Sequence, residues 1–248
     1  MGVTRLLNYS KLWLRAWKYK TKYDKGGIAY IRRQLRRGQT ALDIGAHKGG
    51  YLFWMQRQVG DEGRIAAFEP QAHLYRYLVG LKSVLGWRQT TIARLALSDA
   101  EGQTTLYIPM HRQGGGASSP GATIVSQKAQ GEGDCRVETV HTQTLDAYCA
   151  EHALAPDFLK IDVEGNELRV FRGGEQTLRK YKPRILVEIE ARHVGAAQVR
   201  ETLAYMAQLG YSGFFIHGSK LRPIAEFSLD RYQNPQNMRD YCNNFVFE

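Results

Sequence analysis

The chain predicts an α/β fold built on a parallel, doubly wound sheet. Short apolar strand candidates alternate with helical stretches along most of the sequence. A glycine-bearing turn directly follows the first strand. The composition is ordinary for a globular protein: 43% hydrophobic and 23% charged among 248 residues, enough to bury a core without a disulfide scaffold.

Residues 27–37 read as a helix ending at Gly38. Residues 40–44 form a short buried strand that runs into Gly45-Ala46-His47-Lys48-Gly49-Gly50. Residues 51–59 have helical periodicity and place Tyr51, Phe53 and Trp54 on a core-type spacing. Residues 64–69 form a second strand, stopped by Pro70. A helix over 71–85 leads to a third strand over 90–97, and residues 104–108 alternate as a strand does. The run from Gly114 to Gly121 cannot pack a core, so residues 111–134 read as a long loop, with 111–126 as a candidate lid. There follow a strand (137–142), a helix (145–151), a central strand with its exit loop (157–165), a helix (167–180), a strand (184–190), a helix (196–209) and two last strands (211–217, 244–247).

The formal charge of +10 is concentrated at one end. Residues 1–40 hold eleven Lys and Arg against the single acid Asp24, and the rest of the chain is neutral. Residues 1–37 therefore read as a basic helical extension ahead of a catalytic-sized domain over 38–248. The extension lacks the uncharged apolar centre of a secretory signal. It either packs on the body with its cations solvated, or residues 1–25 touch an anionic membrane surface. No run of ~18 uncharged apolar residues exists. The cysteines, Cys135, Cys149 and Cys242, show no metal-ligand spacing. A cytoplasmic location, peripheral to the inner face of the membrane if the extension binds it, is the expectation. No specific nucleic-acid partner is expected, because the basic charge does not extend over the body.

The turn after the first strand is where such a sheet binds a nucleotide-bearing cofactor. Gly45, Gly49 and Gly50 do not fit the GxGxxG spacing, and Asp43 beside the loop would repel a pyrophosphate. S-adenosylmethionine (SAM) carries an ammonium, a sulfonium and a carboxylate instead. Asp43 favours its cationic end, and backbone N–H groups of Gly45, Ala46, His47 and Gly49 take the carboxylate. Glu69, followed by Pro70, ends the second strand and suits the ribose hydroxyls. Asp99, after Leu97 and Ser98, suits the adenine amino group. Three acids at successive strand ends match one nucleoside lying across the sheet.

These residues resemble the FkbM family of class I SAM-dependent methyltransferases. The similarity rests on Leu42-Asp43-Ile44-Gly45-Ala46-His47-Lys48-Gly49, Phe68-Glu69-Pro70, Ala96-Leu97-Ser98-Asp99, Thr144-Leu145-Asp146, the stretch from Phe158 to Glu167, the stretch from Pro183 to Glu190, and Asn244-Phe245-Val246-Phe247. It covers roughly residues 38–248. It implies a Rossmann-like seven-stranded, mostly parallel sheet with an antiparallel last strand. It also implies O-methylation of a hydroxyl on a sugar, glycan or secondary metabolite, with S-adenosylhomocysteine as product.

Acids also end the fourth and fifth strands. Asp162 is expected to position the methionyl end or the acceptor hydroxyl, and Glu164, Glu190 and His193 to supply the base and acceptor contacts. Lys160, mid-strand, is expected to pair with an acid across the sheet, and Glu188 with a neighbouring Lys or Arg. A divalent metal on Asp162, Glu164, Glu190 and His193 is the alternative, but carboxylates are needed near a sulfonium in any case. Residues 218–242, with Arg222, Arg231, Tyr232, Asn234 and Arg239, are an expected acceptor-side insertion. The rival functions are an RNA or nucleotide methyltransferase and a non-catalytic SAM-binding scaffold. The first lacks the Asn-Pro-Pro-aromatic signature for exocyclic amines.

Overall fold

The computed structural model describes residues 2–109, 121–124 and 135–248. The sheet starts from strands whose residues are apolar on both faces. β1 (Thr40–Ile44), β7 (Phe158–Ile161) and β8 (Arg184–Glu188) are buried almost throughout, as strands covered by helices on both sides must be. Together with β2 (Arg64–Phe68), β3 (Thr90–Ala93), β9 (Gly213–His217), β10 (Lys220–Pro223) and β11 (Asn244–Phe247) they form one sheet, ordered β10-β9-β11-β8-β7-β1-β2-β3. β3, β2, β1, β7 and β8 are parallel, and β11 runs antiparallel to both β8 and β9. This is the mostly parallel sheet with an antiparallel last strand. β10 adds an eighth strand as a hairpin on β9.

A second sheet takes β4 (Ala96–Leu97), β6 (Cys135–Gln143) and β5 (Gly102–Pro109) in the order β4-β6-β5. The strand expected over 90–97 is therefore two strands. Its second half leaves β2 and pairs with β6.

Helices cover both faces. On one lie α1 (Gly2–Lys18), α2 (Lys25–Gln34), α3 (Gly50–Val59) and α4 (Ala72–Leu85), over a core that includes Leu12, Ile31, Leu52, Met55 and Leu78. On the other lie α5 (Leu145–Glu151), α6 (Glu167–Arg172), α7 (Glu175–Tyr181) and α8 (Ala191–Gln208), over Leu145, Phe171, Leu178 and Met206. Local chemistry sets the ends. Asp24 accepts from Gly27 N and caps α2, Thr144 accepts from Ala147 N and caps α5, and Gly86 closes α4 in the left-handed region. The helix expected over 167–180 breaks at Gly173-Gly174, and Gly173 has no room for a side chain, since a Cβ there would lie 2.1 Å from the Ser98 carbonyl oxygen.

The basic extension packs on the body. Leu12 and Ala16 of α1 are fully buried against α3 and α4, and Trp54 Nε1 donates to Ala16 O at 2.9 Å. A π-helical turn (Tyr19–Tyr23) joins α1 to α2 and carries Tyr19 over Gly50. The outer face of α1 exposes Trp13, Leu14 and Trp17 at 42%, 52% and 44%, with the two indoles stacked 5.4 Å apart.

Candidate active site

A cleft enclosing about 1080 Å³, its open mouth included, follows the carboxyl ends of β1, β2, β4 and β7. Its floor is the turn after β1. Gly45 N and Ala46 N both donate to Phe68 O, at 3.1 and 2.9 Å, tying the turn to β2. Gly45 has φ +83°, and a Cβ there would sit 1.8 Å from the Asp162 carbonyl oxygen. Only glycine lets the β1 and β7 loops come this close. Gly49 starts α3 in the left-handed region with no side-chain cap, leaving the first-turn N–H groups of α3 to a ligand.

Glu69 lines the wall above this floor. Its carboxylate accepts from His47 N at 2.8 Å and Gln71 N at 2.9 Å. Burial, opposed by those two bonds, pushes it up to about 7. Ala46, His47, Pro70 and Leu97 line the same cleft. His47 is held neutral, because burial and then Lys48 push its imidazole down to about 4.

Several expected contacts lie elsewhere. Asp43 is fully buried and does not line the cleft. Among the described residues its carboxylate has no hydrogen-bond partner, and it lies 3.9 Å from Lys160 Nζ on the neighbouring strand. Burial pushes Asp43 up to about 6. Burial alone would lower Lys160, but Asp162, 3.3 Å away, and Asp43 outweigh it and push the lysine up to about 12. The cross-sheet pairing expected of Lys160 is thus present. Gly49 is buried off the cleft beneath Leu78 and Leu12. Ser98 and Asp99 also stand off it. Ser98 Oγ donates to Asp99, and Arg169 of α6 binds that carboxylate at 3.1 Å. Asn166 presents a polar atom there instead. It lines the cleft, donates through Nδ2 to Leu97 O, and leaves its buried Oδ1 without a partner.

A second cavity of about 1040 Å³ adjoins the first, and Tyr19, His47, Lys48, Tyr51 and Asp162 line both. Asp162 is the one carboxylate common to the two among the described residues. Tyr51, expected as core with Phe53 and Trp54, is buried but faces both spaces. Its hydroxyl donates to Asp24, and Lys160 Nζ lies 4.6 Å from its ring centre. Tyr19 escaped the sequence reading because nothing in the leader marks one tyrosine as a wall.

Glu164, at φ +55°, lines the cleft. Its Oε2 is 3.3 Å from His193 Nε2, which is 3.8 Å from Glu190 Oε2. Neither His193 nor Glu190 lines the cleft. Glu190 is bound by Arg192, Tyr241 OH and Asn243 Nδ2. Among the described residues Glu188 pairs with no Lys or Arg; Asn243 Nδ2 donates to it at 2.8 Å, and burial followed by Asp162 pushes it well above the carboxylate range. Arg222, Arg231, Tyr232, Asn234 and Arg239 line neither cavity. Arg222 binds Glu226, Arg231 pairs with Asp240, and Tyr232 is core. Within the expected lid over 111–126, residues 111–120 and 125–126 lie outside the described residues. Gly121, Ala122 and Ile124 line the cleft, and Thr123 Oγ1 donates to Glu164 O.

A family model, the methyltransferase FkbM domain, matches residues 43–212. The chain belongs to the FkbM methyltransferase family. A solved FkbM methyltransferase from Methylobacillus flagellatus is similar at 13% identity and a TM-score of 0.53, over 94% of this chain and 53% of that one. The chain thus spans about half the length of that protein. The cofactor-bound Rv0187 from MTB matches at 13% identity and a TM-score of 0.52, over 97% of this chain and 88% of that one. No curated protein matches the sequence. The fold is that of the class I SAM-dependent methyltransferases.

The FkbM cleft suits SAM on its own chemistry. It offers an uncapped helix start to a carboxylate, a backbone-held carboxylate to paired hydroxyls and an unpartnered amide oxygen to an amine. Glu69 gives a pH test. If Glu69 takes the ribose hydroxyls, they donate to its ionised carboxylate, and binding competes with its proton. S-adenosylhomocysteine affinity is expected to be flat above pH 7 and to fall by up to about tenfold per unit below it. The Glu69→Gln variant should bind weakly and without that slope; an unchanged slope would place the titrating group elsewhere. Among the described residues no three His, Cys, Asp or Glu side chains gather as a metal site.

Proposed function

We propose that this FkbM methyltransferase methylates a hydroxyl of a sugar, glycan or secondary metabolite. The observation that carries the reading is Asp162, which stands between two adjoining cavities at the end of β7. When bound, SAM supplies a methyl group on a positively charged sulfur. The chain aligns the acceptor O–H and takes its proton. With SAM bound, Asp162 would hold that O–H and take its proton while the methyl passes from sulfur to oxygen and the sulfur–carbon bond breaks. Lys160, 3.3 Å away, steadies the carboxylate from below. Glu164, His193 and Glu190 hold the left-handed turn that follows Asp162, so His193 and Glu190 act through Glu164.

The test is calorimetric titration with S-adenosylhomocysteine, followed by labelled-methyl transfer to glycans, small alcohols and RNA. Micromolar binding, lost in Glu69→Ala, with label on a hydroxyl acceptor supports the reading. Label on RNA alone would make the protein a nucleic-acid methyltransferase. Binding with no transfer to any class would make it a scaffold.

The outer face of α1 supports a membrane role on the cytoplasmic side. Trp13, Leu14 and Trp17 stand exposed among Lys11, Lys18 and Lys20, the pattern of an interfacial helix. Among the described residues no helix is long and apolar enough to cross a membrane. Sedimentation with phosphatidylserine vesicles should fall several-fold in the Trp13→Ala/Trp17→Ala variant. Wild-type protein that stays in the supernatant removes the membrane from the account.

A further inference from the structure

We infer that the second cavity is the acceptor pocket and that it selects a sugar-like acceptor bearing a phosphate or carboxylate, held by Arg15 and Lys48. This rests on the methyl-transfer reading and adds the chemistry of the acceptor. Two halves of the cavity lead to it.

The inner half is built for hydroxyl groups. Asp162, Glu188 and the amides of Asn243 and Asn244 face it from the ends of β7, β8 and β11. Glu188 and Asn243 are bonded to each other. Carboxyl and amide groups in fixed pairs accept and donate to vicinal hydroxyls. Tyr19 and Tyr23, with ring centres 5.9 Å apart, give the apolar flank that a sugar ring needs.

The outer half is cationic. Arg15 reaches over from α1 and donates through Nη1 to Lys48 O at 2.9 Å and to Tyr77 OH at 3.3 Å. The same stretch bears the Lys48 ammonium, and both cations line the cavity. Neither forms an ion pair with a carboxylate among the described residues. Partial burial lowers Lys48, and the Arg15 charge acts in the same direction. An anion placed between them relieves that repulsion and accepts from both. Lys48 lines both cavities but Arg15 only the second, so an anion held by the pair sits on the acceptor side.

The test uses the full chain saturated with S-adenosylhomocysteine, titrated with glucose, glucose 1-phosphate, glucuronate and inorganic phosphate. At least one of glucose 1-phosphate and glucuronate is expected to bind ten-fold or more tightly than glucose, and which one does tells phosphate from carboxylate. Arg15→Gln and Lys48→Gln should erase the preference. In Arg15→Gln the S-adenosylhomocysteine affinity should stay within about two-fold, which also reports an intact fold. Three results overturn the inference: no preference for the anionic sugars, a preference that survives Arg15→Gln, or loss of S-adenosylhomocysteine binding in Arg15→Gln. Failure of the wild type to bind S-adenosylhomocysteine would instead strike at the methyltransferase reading beneath it.

Discussion

Asp162→Asn is expected to cut methyl transfer by about three orders of magnitude, the scale of a lost general base. The effect should fall on kcat, with S-adenosylhomocysteine affinity within a few-fold of wild type. The amide keeps the shape and can still accept one hydrogen bond, but it takes no proton. Folding should persist, because Lys160 keeps Asp43 at 3.9 Å and a bond to Gly45 O. A melting curve and single-turnover kinetics separate the two effects. Wild-type turnover would remove Asp162 from the reaction. A collapse in cofactor affinity would move it to the methionyl end.

Lys160→Met should be the most damaging change to stability. Lys160 and Asp43 are both buried, and removing one partner leaves an unpaired charge in the core. Such losses run to about 3–5 kcal/mol, or on the order of 10 °C in Tm for a chain of this size. The pH dependence has a definite sign. The damage comes from ionised Asp43, which is pushed up to about 6 even with its partner present. The penalty should be full at pH 8 and shrink as pH falls and Asp43 takes a proton. Asp43→Asn/Lys160→Met should recover most of the loss. A single variant as stable as the wild type at pH 8 would mean that Asp43 is carried neutral.

The parts legible in the sequence are those with a local cause. The apolar run Thr40–Ile44 and the glycines after it mark the first strand and the turn that follows, and Gly45 is needed there because Asp162 O fills the space a Cβ would take. Glu69 sits where a strand-end acid was expected. Asp99 shows the limit. Its sequence neighbourhood matches the cofactor pattern, but Arg169, seventy residues on, takes its carboxylate. Asp43 is similar, since its burial depends on Lys160 from another strand. The division of 90–97 between two sheets depends on pairing with β6, a strand the local pattern announces without saying which neighbour it joins. Tyr19 became visible only once α1 had docked.

Arg15, Tyr19, Tyr23 and Asp24 at one end of the chain, and Asn243 and Asn244 at the other, all lie outside the span 43–212 that the family model matches. The turn after β1, Glu69 and Asp162 lie inside it. If the second cavity holds the acceptor, part of its wall is supplied from outside the matched span, alongside Lys48, Tyr51, Asp162 and Glu188 from within it. Exchange of the two end segments between relatives would then change acceptor choice while S-adenosylhomocysteine affinity stays the same.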